Sequence, residues 1–357
     1  MRLRFALFSS LAVCWLLLPA HSQQHPLKVV VLYDMEGTSG ISEPRATWFG
    51  HEGYEQGRTS LTADVNAAIA GLKAAGATEI VVVDGHGSGN TAGPDVFEEQ
   101  LLGPAKMIAR NSPFDIYMDS YDQSVDAIVA IAMHAGAGNR AGFISHTYAI
   151  VDVEYRVNGV PLNESMVLAL GAARLKIPLI MVSGDDQLEK EMRRNLPWVR
   201  YATIKRAVDR SKAELLPRQE ASRRIETAAR EALQKLDAAR LPEFPGPYRF
   251  ALTFQDEVQA QNAALLPGAE LLPGGLSVQV RANDFEEGYR QTRRLIGLAG
   301  AVARETAFGA AVDARPDAAA IRRAVDDWML DRWMNRLPSP PAAPAPPAVK
   351  RPYWGAR

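Results

Sequence analysis

Asp34 and Glu36 close the apolar run Val29-Val30-Val31-Leu32-Tyr33, and two histidines stand in equivalent places further along the chain. His86 follows Ile80-Val81-Val82-Val83-Asp84-Gly85, and His134 follows Ala127-Ile128-Val129-Ala130-Ile131-Ala132-Met133. Short β-branched runs of this kind read as strands buried on both faces of a parallel sheet. Ligands of open α/β sheets bind beyond the carboxyl ends of such strands. Residues far apart in sequence are therefore expected to converge as two carboxylates and two imidazoles, a donor set suited to a divalent transition metal. Taken singly, the carboxylates could be an ordinary strand-to-loop pair and each histidine a hydrogen-bonded structural residue. Their common placement at strand ends favours the metal.

The surrounding pattern supplies the elements. Residues 61–74 are Ala-rich, with Val65, Ile69 and Leu72 at helical spacing. A further strand is expected at 178–182, with a helix from about Gln187. Residues 148–155 alternate like an antiparallel strand, and Asn158-Gly159 is a hairpin signal. After residue 200 the pattern changes. Residues 217–236 form an amphipathic helix with Ile225, Ala228, Ala229, Ala232, Leu233 and Leu236 on one face. Pro242, Pro245 and Pro247 follow, then strands near 248–253 and 276–280 and a helix over 285–307. The expected fold is α/β: a metal-binding catalytic domain (23–200) with a mostly parallel sheet flanked by helices, and a second, smaller α/β domain (201–310). A C-terminal helix (311–337) carries Ile321, Val325, Trp328 and Met329. Seven prolines between 338 and 352 make residues 338–357 an extended or disordered tail.

Arg2 and Arg4, the apolar stretch 5–18 and Ala20-His21-Ser22 have the three-part form of a secretory signal peptide (1–22), so an exported protein, periplasmic or secreted, is expected. The single cysteine, Cys14, lies inside that leader, which excludes disulfides and thiol catalysis from the mature chain. No later segment is expected to span a bilayer. The whole chain has 40 basic and 41 acidic residues, and loss of the two leader arginines leaves a net charge of about −3. Such a chain has no electrostatic footprint for nucleic acid. Gly85-His86-Gly87-Ser88-Gly89-Asn90 lacks the Lys-Ser/Thr of a phosphate loop, and no Gly-x-Ser-x-Gly elbow occurs.

Asp34-Met35-Glu36-Gly37-Thr38-Ser39-Gly40 resembles the opening signature of the DppA-type D-aminopeptidases. The resemblance continues through Tyr54-Glu55-Gln56-Gly57-Arg58, Asp84-Gly85-His86, His134-Ala135, Ser145-His146, Asn163-Glu164, Gly184-Asp185-Asp186 and Leu266-Pro267-Gly268, in order, over about residues 27–309. It implies two zinc ions held by Asp34, Glu36, His86, His134 and Glu164, with His146 as the catalytic histidine. It also implies short peptides with an N-terminal D-residue as substrates, and a ring-like homo-oligomer. The leader, the helix beyond 310 and the tail depart from the family pattern. From the residues alone, Glu164 is an ordinary acidic first-turn residue of a helix over 164–173, and only the resemblance makes it a ligand.

Five ligands with one bridging carboxylate give three protein bonds per ion and leave room for water, which a metal pair about 3.5–4 Å apart would activate for attack. His146 would act either as general base or as donor to the oxyanion. Asp185-Asp186 either faces the cleft or caps a helix. Two other readings stand beside the peptidase: a metal-dependent amidase or esterase on the same scaffold, and a secreted protein that binds metal and peptide without cleavage.

Overall fold

The computed structural model describes residues 26–108 and 114–335. The expected leader 1–22, its cleavage point near Gln23 and the Pro-rich tail 338–357 lie outside the described residues. The elements run β1 (Lys28–Tyr33), α1 (Tyr54–Ala74), β2 (Glu79–Asp84), β3 (Ala105–Met107), β4 (Ala127–Met133), β5 (Asp152–Val157) and β6 (Val160–Pro161). They continue through α2 (Glu164–Ala173), β7 (Leu179–Asp185), α3 (Asp186–Asn195), β8 (Arg200–Asp209), β9 (Lys212–Leu215) and α4 (Arg218–Gln234). The last are β10 (Tyr248–Phe254), α5 (Glu257–Ala263), β11 (Glu270–Leu271), β12 (Ser277–Ala282), α6 (Phe285–Asp313) and α7 (Ala318–Asn335).

Among the described residues one sheet has the order β3-β2-β1-β4-β7-β8-β9. It is parallel throughout except for the β8–β9 hairpin. Its central strands are buried on both faces, as their unbroken apolar runs require. Val29, Val31 and Tyr33 of β1 pack on the side of α1 and α4, whereas Val30 and Leu32 face the core shared with α2 and the second sheet. The stripe on α4 predicted from sequence is buried at Ile225, Ala228, Ala229, Ala232 and Leu233. A second, antiparallel sheet has the order β11-β12-β10-β5-β6, and α5 and α6 pack against it. Asn158 and Gly159 both have positive φ and form the β5–β6 turn.

Sheet membership differs from the expected division at residue 200. β8, β9 and α4 belong with the first sheet, while β5 and β6 complete the second. Chain order cannot reveal this, because strand pairing is decided by the backbone register of distant segments. α1 begins seven residues before its apolar stripe, since its first turns dock through Tyr54 and Gly57. A Cβ on Gly57 would lie 2.8 Å from Met35 Cε and 2.9 Å from Ala46 O, so only glycine permits this approach to the loop after β1.

Contrary to the expectation for later segments, α6 has the length and apolar composition to cross a bilayer. Its N-terminal half packs on the second sheet through the buried Phe285, Tyr289, Leu295, Ile296 and Ala299, whereas only 28% of its apolar stretch is buried. None of the residues of α7 is buried.

Candidate metal centre

Three adjacent strands, β2, β1 and β4, end side by side. Tyr33 pairs with Asp84 on one flank and Ile131 on the other, so Asp34, His86 and His134 leave the sheet along one edge. β1 stops at Tyr33, and Asp34 and Glu36 sit in the turn that follows. Strand alternation therefore does not aim the two carboxylates. The turn does, and its Met35 amide donates to Asp34 Oδ1 (2.9 Å) and Glu36 Oε2 (3.3 Å). Gly37 lets the turn fold back onto β4: its amide donates to Ala132 O at 2.8 Å. A Cβ there would lie 2.1 Å from Met133 O. Glu164 is the first residue of α2, where Asn163 caps the helix by accepting from the Met166 amide.

All six residues singled out from the sequence come together. His86 Nε2 lies 3.3 Å from Glu36 Oε1, His134 Nε2 lies 3.1 Å from Asp34 Oδ2 and 3.7 Å from Glu164 Oε1, and His146 Nε2 lies 4.0 Å from Glu36 Oε1. The ligand atoms fall into two trios, Asp34/Glu36/His86 and His134/His146/Glu164, each within 4.8 Å. The Asp34–His134 approach joins them. His134 and His146 stack with ring centroids 4.1 Å apart.

The imidazoles share one arrangement. Nδ1 of His134 donates to Ala135 O, Nδ1 of His146 donates to Ile144 O, and Nδ1 of His86 contacts the Asp95 carboxylate at 2.8 Å. A carbonyl can only accept, so the Nδ1 of His134 and of His146 carries a proton and Nε2 is the nitrogen turned toward the carboxylates. This is the usual orientation of a metal-bound histidine. Nε2 of His134 is buried with no hydrogen-bond partner, facing the Asp34 oxygen. Positive charge is needed between this nitrogen and a carboxylate oxygen 3.1 Å away; a proton supplies it in the metal-free chain, and a divalent cation with N and O ligands can replace that proton. The residues fit the metal.

In the metal-free chain, protons balance the charges of the site. Burial first, and the neighbouring Glu36 second, push Asp34 up to about 8. Burial alone would raise Glu36, but His86 outweighs it and holds Glu36 well below the ordinary range. Burial would depress His86 and His134, yet the facing carboxylates hold both well above it. His146 is the exception: burial and then His134 keep it below its ordinary value, hence neutral.

Several supporting residues were invisible to sequence reasoning. Asp95 accepts from His86, from Ser88 Oγ (2.6 Å) and from Tyr54 OH, and Arg58 donates to the carbonyls of Pro94, Asp95 and Val96. That gives the Tyr54–Arg58 motif its purpose, which is to hold the loop carrying Asp95. Tyr117 OH and the Tyr148 amide donate to Glu164. Arg210 donates to Ser145 O, beside His146. A ligand histidine needs an acceptor on its second nitrogen, which is a signal that some carboxylate must exist; its position does not follow from spacing.

Asp185 caps α3 through the Gln187 and Leu188 amides and also accepts from the Phe143 amide, and Asp186 accepts from the Ala207 amide. The capping reading of that pair holds. Of five non-glycine residues with positive φ among those described, Ala132, Ile144 and Tyr148 border this site. Local strain of this sort persists where surrounding structure holds it in place.

The family model for D-aminopeptidase matches residues 27–293. The chain belongs to the D-aminopeptidase family. A D-aminopeptidase of Bacillus subtilis (strain 168) is 29% identical over 265 residues, covering 74% of this chain and 94% of the relative. A solved structure described as Zn-dependent D-aminopeptidase DppA from Bacillus subtilis, a self-compartmentalizing protease, superimposes with a TM-score of 0.71 at 28% identity. It covers 76% of this chain and 98% of the other. Every residue of the candidate site described above lies within 27–293, and α7 lies beyond it.

Proposed function

We propose that this member of the D-aminopeptidase family is a two-zinc aminopeptidase that removes N-terminal D-residues such as D-Ala from short peptides. The observation that carries the metal reading is the convergence of two ligand trios, joined where His134 Nε2 lies 3.1 Å from Asp34 Oδ2. Asp34 would bridge, with Glu36 and His86 completing one ion's protein ligands and His134 and Glu164 the other's. When bound, such a pair acidifies water and polarises a scissile carbonyl.

The remaining roles fall to the chain. His146 is half-buried, neutral and tied at Nδ1, so its Nε2 is a proton acceptor; this supports general base over oxyanion donor. The accepted proton would then pass to the departing amine. Tyr117 and the Tyr148 amide fix Glu164, and Asp95 fixes His86. Support for the D-amino-acid preference comes from the family.

The leader pattern supports export with residues 1–22 removed, and the self-compartmentalizing relative supports a closed homo-oligomer. The test is hydrolysis of a D-alanyl chromogenic amide beside its L-isomer, before chelation, after chelation and after zinc return, with metal analysis of the same sample. Two ions per chain and zinc-restored cleavage of the D-isomer are expected. Full activity without metal would overturn the reading.

A further inference from the structure

Lys205 is buried to 1% exposure in the middle of β8. An amine taken this far from water carries a large desolvation cost, and a methionine would fill the same space without it. Its surroundings show what the amine does. Nζ donates to two main-chain carbonyls, Glu36 O at 2.6 Å and Ile41 O at 2.8 Å, and sits 4.5 Å from the centre of the Phe143 ring. These carbonyls bracket Gly37-Thr38-Ser39-Gly40, so one nitrogen clips the turn shut between a proposed metal ligand and the residue that ends the turn.

The other ties of the turn lie between these points: Gly37 N to Ala132 O at 2.8 Å, and Ser39 N and Oγ to the Asp64 carboxylate at 2.8 and 2.7 Å. The Glu36 carboxylate accepts one amide hydrogen bond, a long one from Met35 N at 3.3 Å. Its position opposite His86 and His146 is therefore set mainly through its own backbone, and Lys205 holds that backbone. β8 is itself fixed beside the site, because Lys205 pairs with Asp185 of β7 and Asp185 accepts from the Phe143 amide.

We propose that Lys205 is a positioning residue that fixes the Asp34–Ile41 turn so that Glu36 meets its metal in register. The proposal rests on the metal-centre reading above, and its test separates the two. Zinc affinity is measured by competition with a chromophoric chelator, and thermal stability on the metal-free protein, for wild type and Lys205→Met. The variant is expected to keep or exceed the wild-type melting temperature without metal, while zinc affinity falls by about ten- to a hundredfold, the usual cost of losing support behind a ligand.

A purely structural lysine would instead lower the metal-free melting temperature and leave affinity alone. Unchanged affinity in Lys205→Met, within about threefold, overturns the proposal while leaving the metal centre intact. Absence of zinc binding by wild type overturns the metal centre itself. Lys205→Gln keeps a donor too short to reach both carbonyls and should show the same loss if Lys205→Met does not fold. Failure of both variants to fold in excess zinc would make Lys205 a folding residue and overturn the proposal.

Discussion

Replacing Asp95 by asparagine tests the metal centre from a residue that touches no metal in the proposed assignment. The Asp95 side chain is 2% exposed and takes three donors: His86 Nδ1 at Oδ2, with Ser88 Oγ and Tyr54 OH at Oδ1. Its interaction with His86 keeps the carboxyl below its ordinary value despite burial, so it is an ionised acceptor. Asparagine has the same shape but one oxygen.

If that oxygen serves the two hydroxyls, the amide NH2 faces His86 and forces the proton to Nε2, which closes the lone pair needed by the metal. If the amide is reversed, His86 keeps its tautomer but loses a charged partner, a bond class contributing about 1.5–3 kcal/mol. Either way zinc affinity at the His86 side should fall by about 10–100-fold, or ~1.4–2.8 kcal/mol. Chelator competition reads the affinity, and turnover at saturating zinc should return to within about threefold of wild type, because the reacting groups are untouched. Wild-type zinc affinity in Asp95→Asn, or a loss of turnover that excess zinc does not repair, would refute the reasoning.

Four further outcomes are expected. His146→Ala should retain close to full zinc and bind substrate while turnover falls by roughly two to four orders of magnitude; loss of zinc in the same preparation would make His146 a ligand. Asp34→Ala should lose both ions and all activity, whereas Glu36→Ala should deplete metal less completely, as metal analysis would show; full metal content in Asp34→Ala removes the bridging role. Lys205 titrates at about 7 in the folded chain against 10.5 ordinarily, with burial as the leading cause. Below pH 7 both states bind the proton and the folded chain bears the burial cost in full. Between 7 and 10.5 only the unfolded chain keeps the proton, so wild-type stability gains up to about 1.4 kcal/mol per pH unit. The metal-free stability advantage of Lys205→Met over wild type should therefore shrink between pH 7 and 10; a gap in urea midpoints that stays constant contradicts the assignment. Finally, deleting residues 318–357 should leave the melting temperature within a few degrees, since α7 buries no residue; a large drop would show that the segment packs.

The elements that carry the candidate ligands were legible because their cause is local. Unbroken β-branched runs ahead of Asp34, His86 and His134 specify strands buried on both faces, and residues just past such strands must emerge at one sheet edge. The hairpin at Asn158-Gly159 and the apolar stripe of α4 were legible for the same reason, since each follows from backbone preference or helical spacing within one segment. Glu164 and His146 were reached through resemblance alone, because a helix-starting glutamate and a loop histidine look ordinary in sequence.

What tertiary structure decided depends on partners far apart in the chain. The membership of β8 and β5 in their sheets is a matter of backbone register, which no single segment encodes. Asp95 serves His86 only because Tyr54 and Arg58 of α1 hold its loop. Lys205 reaches Glu36 across 169 residues, from a strand whose composition gives no hint of a buried amine. Hydrogen-bond partners behind ligands are selected by distance and angle in the folded chain. The sequence determines which residues could hold a metal, and the packing determines which neighbours hold those residues still.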